Sequence, residues 1–458
     1  MIFLRIRGDR CSESLPRSHP CLHNDLLCWN ERSDNDGDGN DNAAGDIEMR
    51  AGWEILPLDK VFWFQEGPGV RKWQFTSSGI KLLNVANIEK GGTLNLAKTE
   101  RHLSETEVKS KYSHFLIDDG DLVIASSGIS FDEDGLLRTR GAFVESKDLP
   151  LCLNTSTIRF KNIENVSDLK FLRFWLDTQE FRLQITRLVT GSAQQNFGPS
   201  HLKALQISLP PIAQQKRIAA ILDKAEELRG LRRKALGELD AIAQSIFLEM
   251  FGDPVTNPKG WISTTSLGDV ADIASGITKG RKLNGQATRK VPYLAVINVQ
   301  DKALNLNVLK TIEASENEIN RYRLKKDDLL LTEGGDPDKL GRGTLWSEEI
   351  SECIHQNHVF RVRLMSASIH PLFLNWLVGS QRGKQYFLKS AKQTTGIATI
   401  NMTQLRGFPL LIPPIDLQKE FARRVGAIEQ LKATHRESLA HLDALFASLQ
   451  HRAFRGEL

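Results

Sequence analysis

Pro210-Pro211-Ile212-Ala213-Gln214-Gln215-Lys216 is repeated in this chain as Pro413-Pro414-Ile415-Asp416-Leu417-Gln418-Lys419. The offset of 203 between the two copies then holds without a gap as far as the matched pair Phe251 and Phe454. Chance similarity does not keep one register over about forty residues, so the pattern indicates an internal duplication. The repeated motif therefore divides the chain into two halves of related structure.

Each repeated motif predicts the start of a long helix. Two consecutive prolines disfavour helix before them, and Gly252-Asp253-Pro254 ends the first helix, which leaves about residues 213–251. At roughly 1.5 Å per residue this helix is on the order of 55 Å long. The shared register predicts an equivalent helix at the end of the chain.

Apolar residues in the two predicted helices recur in steps of three and four, which is heptad spacing. They include Ile221, Leu228, Leu239, Ile242 and Ile246 in the first helix, and Leu431, Leu442, Leu445 and Leu449 in the second. Equal length and shared register favour pairing of the two helices as a coiled coil. The alternative is two separate amphipathic helices, each lying on its own module.

Upstream of each helix the repeat continues with a changing offset, as expected where loops differ in length. Short runs rich in Val, Ile and Leu, such as residues 121–126 and 328–332, are typical of strands. Residues 171–188 and 371–388 instead have helical spacing. The predicted fold class is α+β, with two tandem modules that each lead into a long helix. The predicted divisions are 49–210 and 256–412 for the modules, and 211–255 and 413–458 for the helices.

Residues 1–48 differ in composition from the rest of the chain. They hold five arginines, no lysine and ten acidic residues, and the stretch 33–45 is almost free of apolar side chains. Such a segment buries too little surface to fold, so we expect a disordered or non-native extension. Met49 stands just before the first globular signal, and we expect translation to begin there.

The rest of the chain is moderately basic. Its net charge is +9, because the total of +4 includes −5 from residues 1–48. This balance fits a polyanionic partner, although many basic proteins bind no nucleic acid. No apolar run approaches the roughly 18–20 residues of a membrane helix. Five cysteines without framework spacing indicate reduced thiols, so we expect a cytoplasmic protein with no membrane association.

No arrangement of residues in the sequence predicts catalysis. The chain has no Gly-x-x-x-x-Gly-Lys-Ser/Thr loop for phosphates and no Asn-Pro-Pro-aromatic motif of amino-methyltransferases. Pro337-Asp338 lacks the Glu-x-Lys arm of a metal-dependent nuclease. His355 and His358 come closest to metal-ligand spacing, but three residues apart in a predicted strand they point to opposite faces. We expect a non-catalytic chain that itself binds neither metal nor cofactor.

The arrangement as a whole resembles the specificity subunits of type I restriction–modification enzymes. The matching features are Trp53 and Trp261 opening the modules, Asn87 and Asn298 in an early strand, and Gly191-Ser192 and Gly396-Ile397 before the last strand. They also include the Pro-Pro-Ile-x-x-Gln-Lys start of both helices and the junction from Phe251 to Trp261. The resemblance covers about residues 49–458. Each motif is weak alone, but the ordered set occurs twice.

This resemblance implies that each module is a target-recognition domain that reads one half of a split, asymmetric sequence in double-stranded DNA. It also implies that the two long helices form an antiparallel coiled coil that sets the distance between the modules. Two methyltransferase subunits would dock around these helices and bring S-adenosylmethionine for adenine methylation. A motor–nuclease subunit that uses ATP and Mg would complete the restriction complex. This chain would supply recognition only.

DNA-reading modules contact phosphates with Lys and Arg, and base edges with Arg, Asn and Gln. The candidates in the first module are Arg71, Lys72, Arg138, Arg140, Gln194, Gln195 and Asn196. Those in the second are Lys279, Arg281, Lys282, Arg289, Lys290, Arg342, Gln356 and Asn357. For each cluster the alternative is an ordinary solvated surface. The resemblance transfers no base-contacting residue by position, because specificity positions vary within the family.

Two other functions remain open from the sequence. One is a bifunctional restriction enzyme chain with its own nuclease or methyltransferase activity, against which the missing motifs count. The other is a coiled-coil assembly protein without DNA specificity. Methylation of DNA by the purified chain alone would favour the first alternative, and complexes that bind all DNA alike would favour the second.

Overall fold

The computed structural model describes residues 52–128, 130–131, 135–189, 196–283, 285, 287–336, 339–394 and 397–458. The predicted extension 1–48 lies outside the described residues. So do the candidates Gln194 and Gln195, the motif Gly191-Ser192, Gly396 and the pair Pro337-Asp338.

The elements of the first half follow one another in an α+β order. They are β1 Glu54–Pro57, α1 Leu58–Val61, β2 Phe62–Glu66, β3 Ile80–Leu82, β4 His102–Leu103, α2 Glu105–Glu107, β5 Leu122–Ala125, β6 Ser130–Phe131, β7 Leu137–Arg138, β8 Gly141–Phe143, β9 Leu151–Cys152, β10 Thr157–Asn162, α3 Leu169–Trp175, α4 Gln179–Leu188, α5 Pro199–Lys203, β11 Gln206–Leu209 and the long helix α6 Ile212–Phe251. The helix predicted from about residue 213 to 251 is thus confirmed.

The second half repeats the main elements of this order, with some short strands added and others, such as those equivalent to β1 and β11, reduced to isolated bridges. Its elements are α7 Leu267–Val270, β12 Ala271–Ser275, β13 Arg289–Leu294, β14 Val299–Gln300, β15 Ala303–Leu304, β16 Lys310–Ala314, α8 Glu316–Tyr322, β17 Leu329–Thr332, β18 Gly334–Gly335, β19 Gly343–Leu345, β20 Ile354–His355, β21 Val359–Leu364, α9 Pro371–Val378, α10 Gln381–Ser390, β22 Lys392–Thr394, β23 Ile397–Thr399, α11 Met402–Arg406 and the long helix α12 Ile415–Phe454. Short 3-10 turns connect several of these elements.

Each module is built on a four-stranded antiparallel sheet, in the order β2-β10-β5-β8 in the first and β12-β21-β17-β19 in the second. A smaller sheet accompanies it, β4-β3-β9 or β16-β13-β20, in which one strand pair is antiparallel and the other parallel. The same strand order recurs although the module sequences have diverged. The duplication therefore extends to the modules, and the strands predicted at 121–126 and 328–332 are confirmed as β5 and β17.

The helical segment predicted in each module consists of two helices. In the first module α3 and α4 are separated at Thr178, whose side chain accepts a hydrogen bond from Phe181 N (3.3 Å) and so begins a new helix. In the second, α9 and α10 are separated at Gly379 and Ser380. Apolar spacing alone did not reveal the break, because the buried faces of both helices belong to one core.

The glutamine of each repeated motif fastens the long helix to its module. Gln215 is fully buried; its side chain accepts a hydrogen bond from Asp168 N (2.9 Å) and donates to Val166 O (2.9 Å) and Pro210 O (2.8 Å). Gln418 repeats these contacts, accepting from His370 N (2.8 Å) and donating to Ser368 O (3.0 Å) and Pro413 O (2.8 Å). Asp168 and His370 are the residues that cap α3 and α9. The motif is therefore a joint between helix and module.

Both long helices have 40 residues and connect the two module cores. Helix α6 begins in the first core with Ile218 and Leu222 and ends in the second with Phe247 and Phe251. Helix α12 begins in the second core and ends in the first, where the Phe454 and Phe171 rings are 5.1 Å apart. Each core thus contains apolar side chains from both long helices.

The buried stripe of the long helices is displaced from the predicted heptad positions. Ile221, Leu239, Ile246, Leu442 and Leu449 are half-buried, while four predicted residues are 41–49% exposed: Leu228, Ile242, Leu431 and Leu445. Near the middle of the helices the stripe includes Arg232 and His435, which occupy predicted heptad positions, and Arg229 and Lys432, which do not. A pattern guided by apolar residues passes over Arg229 and Lys432 and selects exposed neighbours such as Leu228 and Leu431. The predicted role of the exposed residues in binding partners stays a prediction.

Within the described ranges, no helix has the length and apolar character needed to cross a bilayer. No group of three His, Cys, Asp or Glu side chains that could hold a metal ion occurs there either. His355 is fully buried, and burial lowers the pKa of its imidazole to about 4. His358 is exposed and lies against Glu333, so the two histidines do not share a site.

Candidate nucleic-acid interface

Strand pairing brings the candidate loops of each module to one end of its four-stranded sheet. In the first module β2 and β5 finish at this end and β8 and β10 begin there, as the pairings Glu66 with Ile158 and Ala125 with Thr157 show. In the second module β12 and β17 finish there and β19 and β21 begin there. We call this the loop end. The opposite end of β10 and β21 leads to α3 and α9, which the motif glutamines join to the long helices.

The described candidates of the first module lie in the connecting segments of the loop end, with Arg138 in the short strand β7. Arg71 and Lys72 are in the loop that leaves β2, and Arg138 and Arg140 are in the hairpin segment between β5 and β8. Asn196 directly precedes Phe197, whose N–H donates to Ser126 O (3.0 Å) just after β5. Residues that are up to 125 positions apart in sequence thus reach one edge of the sheet.

The candidates of the second module occupy the same places. Lys279, Arg281 and Lys282 are in the loop that leaves β12, Arg342 directly precedes β19, and Gln356 and Asn357 lie between β20 and β21. Arg289 and Lys290 instead begin β13 of the smaller sheet. The basic loops after β2 and β12 are therefore equivalent positions in two diverged modules.

Both equivalent loops start with a glycine that the fold requires. A Cβ atom at Gly67 would lie 2.4 Å from Asn154 N, and one at Gly276 would lie 1.9 Å from His355 O. These distances leave no space for any side chain, because the loop crosses the segment before β10 or β21 at close range. The direction in which each basic loop leaves the sheet is therefore fixed by the same packing contact.

Several candidate arginines bond to groups of their own module. Arg281 forms an ion pair with Glu318 (2.5 Å), and its hydrogen bond holds the pKa of that carboxyl at about 2. Arg289 contacts Glu316 and Glu352. Arg140 donates to Ile88 O (3.2 Å), and Arg342 donates to the Gln300 side chain (3.1 Å). Both acceptors lie just after the 3-10 turn that follows β3 or β13, so this equivalent pair of arginines holds the same turn in the two modules.

Other candidate cations remain exposed. Arg71, Lys72 and Lys282 are solvent-exposed and have no carboxylate partner in the part of the chain that the structure describes. Lys279 is exposed as well, and its ammonium lies 5.2 Å from the centre of the Tyr293 ring. Free cations on fixed loops are suited to contact phosphates, because their charge is not already neutralised.

Buried ion pairs stiffen the four-stranded sheets, and nothing in the sequence had singled them out. Asp121 lies within 3.5 Å of the Arg159 guanidinium and 3.4 Å of the Lys161 ammonium. Asp328, at the equivalent position, accepts two hydrogen bonds of 2.7 Å from Arg363. A comparison of the two halves could have revealed these pairs, because each half has an acidic residue just before β5 or β17 and a basic residue in β10 or β21.

Asn87 and Asn298 are structural rather than DNA-facing, and they lie in 3-10 turns instead of the predicted strand. The side chain of Asn87 accepts a hydrogen bond from Asn84 N (2.9 Å) and donates to Asn95 O (3.0 Å). Asn298 accepts from Ala295 N (2.8 Å) and donates to Asn305 O (2.8 Å). Both asparagines are buried and hold the same turn in the two modules.

Residues 52–239 and 258–443 each match the family described as type I restriction modification DNA specificity domain. The chain is 26% identical over 294 residues to the type I restriction enzyme StySPI specificity subunit of Salmonella potsdam, a match that spans 61% of this chain and 63% of that relative. It is 23% identical over 436 residues, 90% of each chain, to the EcoKI specificity subunit of Escherichia coli strain K12. The crystal structure of a type I S subunit from M. genitalium shares the fold, with a TM-score of 0.50, 18% identity, and coverage of 88% of this chain and 96% of that one.

Proposed function

The chain belongs to the type I restriction–modification DNA specificity family, as its repeated motifs predicted, and from this premise we propose that it is the DNA-reading subunit of such a complex. Each module would read one half of a two-part, asymmetric site in double-stranded DNA. The observation that carries this proposal is the pair of equivalent basic loops at the loop ends of the two modules. Loops that vary in sequence on sheets of constant topology are suited to reading different bases with one scaffold.

We further propose that α6 and α12 pair as an antiparallel coiled coil that fixes the distance between the modules. Ion pairs support this direction, because Arg229 Nε lies 2.6 Å from Asp443 and Lys432 Nζ lies 2.7 Å from Asp240. The partner number falls as the residue number rises, which is expected when helices run in opposite directions. At about 1.5 Å per residue the spacer is roughly 60 Å long, enough to bridge half-sites one DNA turn apart.

Disulfide trapping would test the antiparallel pairing. The double variant Asp240→Cys/Lys432→Cys should form a disulfide within one chain under mild oxidation, because these side chains face each other. The matched control is Asp240→Cys/Asp443→Cys, which joins the two repeat-equivalent positions that would be neighbours in a parallel pair. Efficient trapping of the control pair, with none for the test pair, would exclude the antiparallel arrangement.

Two methyltransferase subunits are the proposed partners, docked around the long helices. The exposed apolar residues Leu228 and Leu431, and Ile242 and Leu445, support this, because each pair occupies repeat-equivalent positions and so offers two copies of one surface. The methyltransferases would bind S-adenosylmethionine and methylate adenine, and motor–nuclease subunits with ATP and Mg would complete the restriction form. This chain would act as a non-catalytic specificity subunit in the cytoplasm.

Reconstitution tests the proposed function. The chain should co-purify with a co-expressed type I methyltransferase from the same genome, as one specificity chain to two methyltransferases by native mass spectrometry. That complex should bind duplex DNA with a sequence preference and a strong salt dependence. Methylation by the purified chain alone would show a bifunctional enzyme instead, and equal binding of all duplexes would leave only an assembly protein.

A further inference from the structure

We propose that Trp73 inserts its indole ring into the DNA half-site read by the first module, with Arg71 and Lys72 beside it on the phosphates. This inference rests on the proposed function and adds to it a named contact and a local distortion of the DNA. The ring is 80% exposed, which makes it the most exposed of the large apolar side chains in the described ranges. It lies in the basic loop that leaves β2 at the loop end.

The turn that presents Trp73 is held firmly on both sides. Residues Lys72–Gln74 form a 3-10 turn, and the buried Gln74 side chain accepts a hydrogen bond from Arg71 N (2.8 Å). Its amide donates to Glu107 (2.7 Å) and to the Tyr112 hydroxyl (3.0 Å). The backbone that carries the indole is therefore fixed before a ligand arrives, so little backbone entropy is lost when a ligand covers the ring.

Charge and shape together identify the ligand. A single exposed apolar residue needs no explanation by itself. Here two cations without carboxylate partners in the described part of the chain precede the ring, and no acidic residue stands between Gly67 and Gly79. Phosphates satisfy such cations while a flat aromatic ring stacks on a base or enters a base step, a combination that proteins use to kink or unstack DNA. A protein surface would need acidic groups and an apolar socket in the same spacing.

The second module lacks this feature. Its equivalent loop has the cations Lys279, Arg281 and Lys282, followed by Leu283, which is 37% exposed. Leu283 offers no ring to stack and is less than half as exposed as Trp73, so the proposed insertion is assigned to the first half-site only. The two halves of the recognition site should therefore differ in how far the DNA is unstacked.

The test uses the full chain assembled with its methyltransferase partners, and duplexes that carry the methylated motif with 2-aminopurine placed at successive positions. The wild-type complex should raise 2-aminopurine fluorescence at one step, in one half-site only. Trp73→Ala should remove that increase and weaken motif binding about 5- to 150-fold, the range expected for one aromatic–base stack. Trp73→Phe, which keeps a ring, should retain part of both effects.

Two further variants separate the contributions. Arg71→Ala/Lys72→Ala should lower the slope of log affinity against log salt by about 2, whereas Trp73→Ala should leave that slope unchanged. Met365→Ala is the matched control, because Met365 is 68% exposed but follows β21 at the end of the sheet opposite the loops. The control should bind and unstack DNA as the wild type does.

Two results would overturn the proposal while the proposed function stands. In the first, the Trp73→Ala complex binds the motif as tightly as the wild type and keeps the fluorescence increase. In the second, Trp73→Ala loses methyltransferase subunits but the complexes that do assemble bind DNA normally, which would make the ring a protein contact. If the wild-type complex fails to distinguish the motif from a scrambled duplex, the proposed function itself fails and the insertion falls with it.

Discussion

Replacing Gln418 with alanine should loosen the joint between α12 and the second module. The side chain is fully buried and makes three hydrogen bonds, accepting from His370 N (2.8 Å) and donating to Ser368 O (3.0 Å) and Pro413 O (2.8 Å). Alanine makes none of these bonds and leaves a space where the amide stood. The N-terminal turn of α9, which His370 caps, then depends on its own contacts.

The expected cost follows from what happens to each partner. Pro413 O lies in the buried part of the joint and is left unsatisfied, which costs about 1–3 kcal/mol. His370 N and Ser368 O are partly accessible, so water replaces the lost bonds at about 0.5–1 kcal/mol each. The sum is roughly 3 kcal/mol, which corresponds to about a 150-fold rise in local opening.

Hydrogen exchange followed by mass spectrometry measures this opening directly, because it reports local stability in a protein of two modules that need not unfold in one step. Peptides that contain residues 368–374 should lose about two orders of magnitude of protection in Gln418→Ala. The matched control is Gln430→Ala, an exposed glutamine of the same helix, which should change protection less than about 3-fold. Gln215→Ala should act in the same way on the peptide around Asp168, since its contacts are equivalent.

A protection factor in Gln418→Ala within about 3-fold of the wild type would refute this reasoning. So would a large effect of Gln418→Ala with none of Gln215→Ala, because the two joints have the same geometry. In either case the hydrogen bonds of this joint would not explain why the glutamine occurs in both copies of the motif.

Phe421→Ala should lower the free energy of unfolding in urea by about 3–5 kcal/mol, because its ring is fully buried against three other aromatic rings. Lys432→Met should lower it by less than about 1 kcal/mol, since the carboxylate partners of this lysine are solvated. Equal losses of stability in the two variants would contradict this difference. Lys282→Ala should lower the slope of log DNA affinity against log salt by about 1, whereas Arg281→Ala should leave that slope nearly unchanged, because the Arg281 guanidinium is already paired with Glu318. A larger effect of Arg281→Ala than of Lys282→Ala would show that this ion pair opens when DNA binds. Burial holds the pKa of His355 at about 4, below its ordinary 6.5, so the folded protein should lose stability as pH falls from 6.5 towards 4. His355→Gln should flatten that part of the profile in urea titrations, and an unchanged profile would contradict the role of this imidazole.

The sequence predicted the duplicated architecture well because the duplication preserved register. Pro210-Pro211 and Gly252-Asp253-Pro254 bracket α6 by backbone chemistry that acts locally, so the helix ends could be placed within one or two residues. The strands β5 and β17 could be predicted equally well, since a short apolar run between turn residues is itself a local signal.

The buried stripe of the long helices was harder to predict from the sequence. Its middle is polar, with Arg229 and Lys432 on the buried stripe, because ion pairs across the two helices replace apolar contacts there. Leu228 and Ile242 continue an apolar pattern one position away and are exposed instead. Periodicity reports where apolar residues lie but not which face another surface covers.

The sequence predicted which clusters of basic residues could form the candidate interface, but not which of their cations are free to contact DNA. Basic clusters could be located, but only the fold shows that Arg140 and Arg342 hold a turn while Lys72 and Lys282 remain free. That distinction depends on partners 40 or more residues away in sequence. Trp73 gave no sequence signal either, because a lone tryptophan is more often buried than exposed.

Mapping methylated adenines across the genome, with and without this gene, tests most directly the claim that the two modules read a two-part DNA site. Deletion should remove methylation at one split motif, and exchanging residues 52–209 for the first module of a related subunit should change one half of that motif only. Methylation that persists unchanged after deletion, or an exchange that alters both halves together, would contradict it.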